Sequence, residues 1–247
     1  MKVSIITVVY NGAATLSSCI DSVLTQDYPD IEYIIVDGNS TDGTQELVGS
    51  YGTKIDRFIS EADSGIYHAM NKGIKIANGD IIGILNADDF YASSTVISDV
   101  MRELSLTGAS GVYGDLEYVD AVSRSQVKRK WISGEFRQGS FIYGWMPPHP
   151  TFFVKKDVYQ KYGDFRLDLG SAADYEFMLR VIHKAGIKLA YVPKVLVKMT
   201  IGGVSNSSIA NRLAANKNDR KAWKVNNLEP RFYTLWLKPI RKILQFF

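Results

Sequence analysis

The fold of this chain is decided by the stretch Gly79-Asp80-Ile81-Ile82-Gly83-Ile84-Leu85-Asn86-Ala87-Asp88-Asp89. Residues 81–85 form a short apolar run without polar alternation, which is typical of a strand buried on both faces of a parallel sheet. Open α/β sheets bind ligands at the carboxyl ends of such strands. Because the run ends in Asn86, Asp88 and Asp89, we expect a ligand site where this strand ends.

The two adjacent acids have two interpretations. Burying unpaired carboxylates is costly, so Asp88 and Asp89 either lie solvated in an acidic turn or hold a cation. Aspartate is common in turns, whereas hard oxygen ligands suit Mg²⁺ or Mn²⁺, which commonly bridge to substrate phosphates. These residues alone favour neither interpretation.

The first hundred residues alternate between strand and helix patterns. Apolar strands are predicted at residues 3–9, 33–36, 55–60 and 81–85, each followed by an amphipathic helix pattern. The helix after the third strand is expected to be capped by Asp63 or Ser64 and to bury Ile66, Met70, Ile74 and Ala77. This order predicts an α/β fold with a doubly wound, mostly parallel sheet flanked by helices.

The second half breaks this rhythm. Strands are predicted at residues 111–119, 151–154 and 187–192, and a helix at residues 173–185. No linker separates them from the first half, so we expect residues 106–205 to add to the same sheet. The charged residues 123–130 between these elements are expected to form a solvated loop; the alternative is that they meet an anionic lipid diphosphate.

Composition is that of an ordinary globular protein, with 46% hydrophobic and 22% charged residues in 247. The single cysteine, Cys19, excludes an intramolecular disulfide and a cysteine-based zinc cage, which favours a cytoplasmic setting. No run of about 18 apolar residues is present, so no membrane span is expected. The amino-terminal residues indicate a first strand rather than a signal peptide.

The carboxyl-terminal residues 206–247 are strongly basic, with nine Lys/Arg against two Asp/Glu in a chain of net charge +3. Apolar residues recur there at three- and four-residue steps: Phe232, Leu235, Trp236, Ile240, Ile243, Leu244 and Phe247. We interpret this tail as a basic amphipathic helical segment on an anionic membrane surface, and we expect no nucleic-acid partner. The alternative is that its apolar face docks on the body of the protein.

Several nucleotide and hydrolase signatures are absent from the sequence. It contains no G-x-G-x-x-G, no G-x-x-x-x-G-K-[ST] and no G-x-S-x-G. Polar residues remain at the ends of the first, second and fourth strands, along one edge of the sheet. Asp37 could accept hydrogen bonds from a ribose or a base there, and a cation at Asp88 could hold a diphosphate.

Four ordered motifs resemble those of the family 2, GT-A fold, inverting glycosyltransferases. They are IITVVYN at 5–11, YIIVDGNSTDGT at 33–44, EADSGIYHAMNKG at 61–73 and NADD at 86–89. The resemblance covers residues 1–205, divided into a nucleotide-sugar-binding half, 1–105, and an acceptor half, 106–205. The third motif resembles the branch that builds bacterial surface polysaccharides, including colanic-acid and other exopolysaccharide enzymes.

The resemblance implies a UDP- or GDP-sugar donor, a saccharide or lipid-linked acceptor and Mg²⁺ or Mn²⁺. It implies that Asp88 ligates the metal and that Asp174 is the general base. The residues it implies for substrate binding are Thr7, Val9, Tyr10, Asn11, Asp37, Asp63, Asn86, Ala87 and His149. Together with the single cysteine and the basic tail, this predicts a cytoplasmic enzyme, peripheral on the inner face of the plasma membrane, and is compatible with a homo-oligomer.

Three positions depart from the family pattern. Asn86 is a neutral and weaker ligand than the usual acid, Ala173 stands where glutamate is frequent, and His68 replaces a common aspartate. Two other functions therefore stay open. A sugar-phosphate nucleotidyltransferase is expected to carry a G-x-G-T-R-like loop where this chain has YNGAA at 10–14. A non-catalytic nucleotide-sugar-binding subunit would tolerate Asn86 and Ala173.

Overall fold

In the computed structural model the fold is one nine-stranded sheet with helices packed on its faces. The structure describes residues 1–201, 209–243 and 245. The strands are β1 (Val3–Val9), β2 (Ile31–Asp37), β3 (Arg57–Ser60), β4 (Ile81–Asn86), β5 (Asp89–Tyr91), β6 (Gly111–Val119), β7 (Val127–Trp131), β8 (Phe153–Lys155) and β9 (Leu189–Thr200). The helices are α1 (Leu16–Leu24), α2 (Thr44–Ser50), α3 (Ile66–Ile76), α4 (Val96–Thr107), α5 (Lys156–Tyr162), α6 (Ala173–Met178, continued by a π-helical segment, Leu179–Lys184), α7 (Ile209–Val225) and α8 (Thr234–Ile243).

The strand order is β3-β2-β1-β4-β8-β6-β9-β5, with β7 paired to β6. Strands β1 to β4 run parallel to one another, so the predicted α/β fold with a largely parallel sheet is confirmed. The chain moves outward from β1 through β2 to β3 and then returns to β4 on the other side of β1. This reversal creates a crevice at the carboxyl ends of β1 and β4, where open α/β sheets bind ligands.

Antiparallel strands extend the sheet in the second half of the chain. β8 is antiparallel to β4 and β6, and β5 is antiparallel to β9. β7, which pairs antiparallel with β6, forms from the charged stretch expected to be a loop. Its exposed residues Lys128 and Lys130 suit an edge strand, because charge discourages pairing with another chain.

Alternating side chains of β1 pack into two apolar layers, one on each face of the sheet. Ile6 and Val8 pack with α3 on one face, while Ile5 and Val9 pack with α1 on the other. α3 lies so close to β1 that a Cβ on Gly73 would sit 2.4 Å from Ile6 Cγ2. Glycine is therefore required at this crossing.

The start of α3 differs from the sequence prediction. The residue at the cap position is Gly65, at φ 121°, rather than Asp63 or Ser64, and the helix begins at Ile66. Ile66 is 48% exposed, so its predicted burial is wrong, whereas Met70 and Ile74 are buried as expected. The buried face begins one turn into the helix, at Ala69.

One side of the carboxyl-terminal helices docks on the body. The Trp223 indole is buried and donates a hydrogen bond to the Tyr175 hydroxyl at 2.8 Å. Leu235 of α8 is also buried. The Lys238 ammonium donates to the Asp219 carboxylate at 2.8 Å and lies 3.6 Å from the centre of the Tyr175 ring. The docking alternative therefore accounts for this side of the tail.

The other side of α8 faces solvent. Phe232, Trp236 and Ile240 are 88%, 70% and 50% exposed. Leu244 and Phe247, which belong to the predicted amphipathic stripe, lie outside the described residues, as does the predicted boundary between residues 205 and 206. None of the helices in the described part of the chain is long and apolar enough to cross a bilayer. The membrane-surface interpretation stays a prediction.

Replacing Trp223 with alanine tests the docking of the tail. The change removes a buried indole and should lower the free energy of unfolding by about 3–5 kcal/mol. Phe232→Ala is the control, because that ring is exposed in the same tail and should change stability by less than about 0.5 kcal/mol. Urea denaturation of both variants measures the difference, and equal stability would show that the tail does not dock.

Candidate active site

The carboxyl ends of β1, β2 and β4 lie side by side. In the strand register Val9 pairs with Asp37 and Val8 pairs with Asn86. The residues that follow these positions therefore project from one edge of the sheet. Tyr10, directly after β1, is 69% exposed there.

A hydrogen-bond relay ties the loops after β1 and β2 together. The Asn11 backbone N–H donates to Ser40 Oγ at 2.7 Å, and the Ser40 hydroxyl donates to Asp37 Oδ1. Asn11 Oδ1 in turn accepts a hydrogen bond from the Thr41 N–H at 2.9 Å. Asp37 is fully buried, so its carboxylate acts here as the anchor of both loops.

Asp63 approaches the same loops from the end of β3. The Ser60 hydroxyl, at the end of that strand, donates to Asp37 Oδ2 at 2.6 Å. A Cβ on Gly38 would lie 2.8 Å from Asp63 Oδ2 and 3.3 Å from Tyr10 Cδ2. The absence of a side chain at Gly38 therefore lets Tyr10 and Asp63 come together beside Asp37.

Three other residues named for substrate binding lie beneath this surface. Thr7 is fully buried, and its hydroxyl is 3.1 Å from the Tyr33 hydroxyl. Val9 and Ala87 are buried as well. Cys19, which contacts Thr7 Oγ1 at 3.5 Å, has its thiol pKa raised to about 12 chiefly by burial. Cys19 is therefore an inert core residue rather than a nucleophile.

The acidic end of β4 contains unsatisfied oxygens. Asn86 Nδ2 donates to Asp89 Oδ2 at 3.0 Å. Within the described residues, Asn86 Oδ1 and Asp89 Oδ1 are buried without a hydrogen-bond partner. Burial, together with the neighbouring Asp88 charge, raises the pKa of the Asp89 carboxyl well above its usual range.

These oxygens fit a divalent cation. Unpaired buried oxygens beside the carboxylate of Asp88 are hard ligands, of the kind that Mg²⁺ and Mn²⁺ prefer. No cluster of three or more His, Cys, Asp or Glu residues within the described ranges could hold a metal by itself. A cation at this position would therefore need further oxygens from phosphates or water.

A second group of polar residues surrounds the start of α6. Asp174 lies in the first turn of that helix and is partly buried. Burial lowers the pKa of the His149 imidazole, and the charge of Asp174 opposes that effect. Burial raises the pKa of the Tyr67 hydroxyl, and its interaction with the Asp174 carboxylate raises it further. His149 and Tyr67 thus both lie near Asp174.

Phe165 holds this second group in place. Its ring centre is 5.5 Å from that of Tyr67 and 5.4 Å from that of His149. Asn71 fixes its main chain, because Nδ2 donates to the Phe165 carbonyl at 2.8 Å and Oδ1 accepts from the Phe165 N–H at 3.0 Å. α3 therefore positions residues that lie about a hundred positions further along the chain.

Glu176, the next acid after Asp174, is committed to structure. It is buried and forms an ion pair with Arg180 at 3.0 Å. Its Oε1 also accepts a hydrogen bond from Asn226 Nδ2 at 2.9 Å. Asp174 is therefore the acid of this turn that is free of such a pair within the described part of the chain.

Sequence reasoning missed three of these positioning residues. Ser40, Tyr67 and Asn71 all occur in the quoted motifs, but no role was inferred for them. Tyr67 and Asn71 are four residues apart and so share one face of α3. That spacing was the available signal. No such signal marks Ser40 as a link between loops, because its partner Asn11 lies in a different loop, 29 residues away in sequence.

Comparison with known proteins identifies the family. The sequence model of "Glycosyl transferase family 2" matches residues 4–164, more than half of the chain. The chain belongs to this family and is a glycosyltransferase.

Individual relatives agree with this assignment. The "PGL/p-HBAD biosynthesis glycosyltransferase" of Mycobacterium bovis is 29% identical over 210 residues, which is 83% of this chain and 80% of the relative. An uncharacterized glycosyltransferase of Rickettsia typhi is 45% identical over 220 residues, 84% of this chain and 66% of the relative.

Solved structures share the fold. S. aureus TarS 1-349 in complex with UDP-GlcNAc superposes with a TM-score of 0.74 at 18% identity, over 96% of this chain and 69% of that one. The mannosyltransferase PcManGT of Pyrobaculum calidifontis, in complex with GDP-Man and Mn²⁺, gives a TM-score of 0.66 at 18% identity, over 96% and 72%. At these identities the likeness concerns the GT-A fold alone.

Ser40→Ala tests the relay between the loops. It removes the acceptor of the Asn11 N–H and takes a hydroxyl donor away from the buried Asp37 carboxylate, so it should lower the free energy of unfolding by about 1–3 kcal/mol. Ser94→Ala, at an exposed loop position, is the matched control and should have little effect. Chemical denaturation compares the two, and an unchanged Ser40→Ala stability would contradict the relay.

Proposed function

We propose that this glycosyltransferase moves a sugar from a UDP- or GDP-sugar, with inversion at the anomeric carbon, to a saccharide or lipid-linked acceptor in bacterial surface polysaccharide synthesis. One observation carries the proposal. The loops around Asp37 and the acidic end of β4 lie where the parallel strands end, and Asp174, from the second half of the chain, interacts with Tyr67 in the first turn of α3, which follows Asp63. Transfer needs both a donor site and a base.

The first group is proposed to bind the donor. Tyr10, Asn11, Asp37 and Asp63 would hold the nucleoside and its sugar, with Thr7, Val9 and Ala87 supporting them from below. The two structural neighbours bind UDP-GlcNAc and GDP-Man, so either nucleotide is compatible with this fold. Asp37 already accepts hydrogen bonds from Ser40 and Ser60, which favours a role in shaping the site as well as in binding.

The end of β4 is proposed to hold Mg²⁺ or Mn²⁺. Asp88 would be the principal ligand. The oxygens of Asn86 and Asp89 that lack hydrogen-bond partners would lie beside it. When bound, such an ion acts as a Lewis acid that stabilises a diphosphate leaving group. The neutral Asn86 lowers the negative charge of the site, which supports a modest metal affinity.

Asp174 is proposed to be the general base. Inversion requires one carboxylate to take the proton of the attacking acceptor hydroxyl on the face opposite the leaving group. Tyr67 interacts with this carboxylate and would orient it, while His149 would contact the donor phosphate or the acceptor. The ion pair of Glu176 with Arg180 supports Asp174 over its neighbour.

The acceptor and the location rest on the tail. The exposed Phe232, Trp236 and Ile240 suit an amphipathic helix lying in the surface of an anionic membrane. Such an enzyme would be cytoplasmic and peripheral on the inner face of the plasma membrane, where a lipid-linked acceptor is reached. Residues 206–247 would then form a unit that both covers the 1–205 body and meets the membrane.

Asp88→Asn tests the metal proposal. The variant keeps its shape but loses a charged oxygen ligand, so it should lose the increase in donor affinity that Mn²⁺ gives to the wild type. Asp30→Asn is the control, because Asp30 is exposed at the amino end of β2. Calorimetric titration with UDP- and GDP-sugars, with and without Mn²⁺, measures the effect. Unchanged metal dependence in Asp88→Asn would refute the assignment.

Asp174→Asn tests the base. It should bind the donor as the wild type does but transfer sugar more slowly by roughly a hundredfold or more, the scale expected for a general base. Asp157→Asn, at an exposed acid on α5, should transfer normally. Sugar transfer is followed by release of the nucleoside diphosphate. Normal transfer by Asp174→Asn would place the base elsewhere, and a wild type that binds donor without turning it over would instead indicate a binding subunit.

A further inference from the structure

A cleft lies where α8 meets the 3₁₀ turn Ser140–Tyr143. Its volume is about 420 Å³, and its walls include Glu135, Arg137, Tyr143, Trp145 and Arg241. None of these residues belongs to the proposed donor site or to the Asp174 group. The cleft therefore needs an explanation of its own.

The junction that forms the cleft is close and specific. A Cβ on Gly144 would lie 2.5 Å from the Lys238 backbone nitrogen, so the turn packs directly on α8. The Thr234 hydroxyl donates to the Ile142 carbonyl at 2.7 Å, and the Tyr143 and Tyr233 rings stack with centres 6.1 Å apart. This packing holds Arg241 opposite a segment that is about a hundred residues away in sequence.

The charges of the cleft are available to a ligand. Arg137, Arg241 and Glu135 form no ion pair with any residue that the structure describes. Two guanidinium groups against one carboxylate leave the cleft with net positive charge. Arginine presents a planar set of donors that matches phosphate oxygens, so the cleft suits an anion with more than one phosphate.

An apolar surface adjoins this anion site. Trp236 and Ile240 of α8 are exposed, as is Phe232 just before it, and the same helix supplies Arg241. A ligand that satisfied both would have a phosphate head and a long apolar chain. An ordinary phospholipid offers one phosphodiester charge, whereas a diphosphate offers oxygens to both arginines.

The cleft is also connected to the helix of the proposed base. The Trp145 ring, in its wall, contacts the Phe141 ring with centres 5.6 Å apart, and Phe141 contacts Tyr175 at 6.1 Å. Tyr175 directly follows Asp174. The cleft is therefore linked by packed aromatic rings to the first turn of α6, which contains Asp174.

We propose that this cleft binds the diphosphate of a lipid-linked acceptor, held by Arg137 and Arg241 while its apolar chain lies along the exposed face of α8. That the bound lipid diphosphate is an acceptor rests on the proposed function. That the cleft binds a lipid diphosphate is independent of that function, and this binding is measured without donor, metal or turnover.

The test is equilibrium binding of geranylgeranyl diphosphate in phosphatidylcholine vesicles. Arg137→Gln and Arg241→Gln should each weaken binding roughly tenfold, because each removes charge-assisted hydrogen bonds. Glu135→Gln should strengthen binding, because it removes the one negative charge of the cleft.

Arg231→Gln is the matched control, since Arg231 is exposed next to α8 but does not line the cleft, and it should bind nearly as the wild type does. Trp236→Ser should weaken binding of the lipid but not of inorganic pyrophosphate.

Control ligands show which part of the lipid is recognised. The proposal would be overturned if the protein bound pyrophosphate, or phosphatidylglycerol vesicles of matched charge, as tightly as it binds the lipid diphosphate. Equal binding of the lipid diphosphate by all the variants would also overturn it. An equal loss of donor affinity in Arg137→Gln would assign the cleft to the donor site and overturn it as well. A protein that binds the lipid diphosphate but transfers no sugar would refute the proposed function and leave this site standing.

Discussion

The structure depends on the parallel pairing of β1 with both β2 and β4. This pairing brings three strands to an end at one edge, with Asp37 and Asn86 in register on either side of the end of β1. Apolar side chains of β1 on both faces bury the strand between two helical layers, so its position is firmly fixed. Polar residues that would be costly to bury alone can then lie where the strands end and share hydrogen-bond partners.

The second half of the chain is held to this edge by polar contacts of long sequence separation. Asn71 of α3 makes two hydrogen bonds to the main chain of Phe165, and Trp223 of α7 donates to Tyr175 beside Asp174. Each contact satisfies a buried group, and each would leave that group unpaired if it were broken, which costs more than the bond itself contributes. The start of α6 is therefore positioned from both sides, by a helix that precedes it and by one that follows it.

The sequence alone predicted the features that depend on residues close together in the chain. The apolar runs located β1 and β4, and the motifs around Asp37 and Asp88 identified the fold family, because the period of a strand and the residue types of a turn are visible in adjacent residues. It did not predict β7, which is a charged edge strand, or the commitment of Glu176 to Arg180 and Asn226. Those features depend on partners that only the folded chain brings together.

The tail shows why its two interpretations are not exclusive. Leu235 and Lys238 are three residues apart and face the body, whereas Trp236 and Ile240 are four apart and face solvent. One helix thus has a docked side and a free apolar side. Lys238 is occupied by Asp219 and Tyr175, so it adds nothing to attraction towards an anionic surface. Any such attraction must come from other basic residues of the tail, such as the exposed Lys224 and Arg241, and Arg241 also lines the cleft beside the turn at residues 140–143.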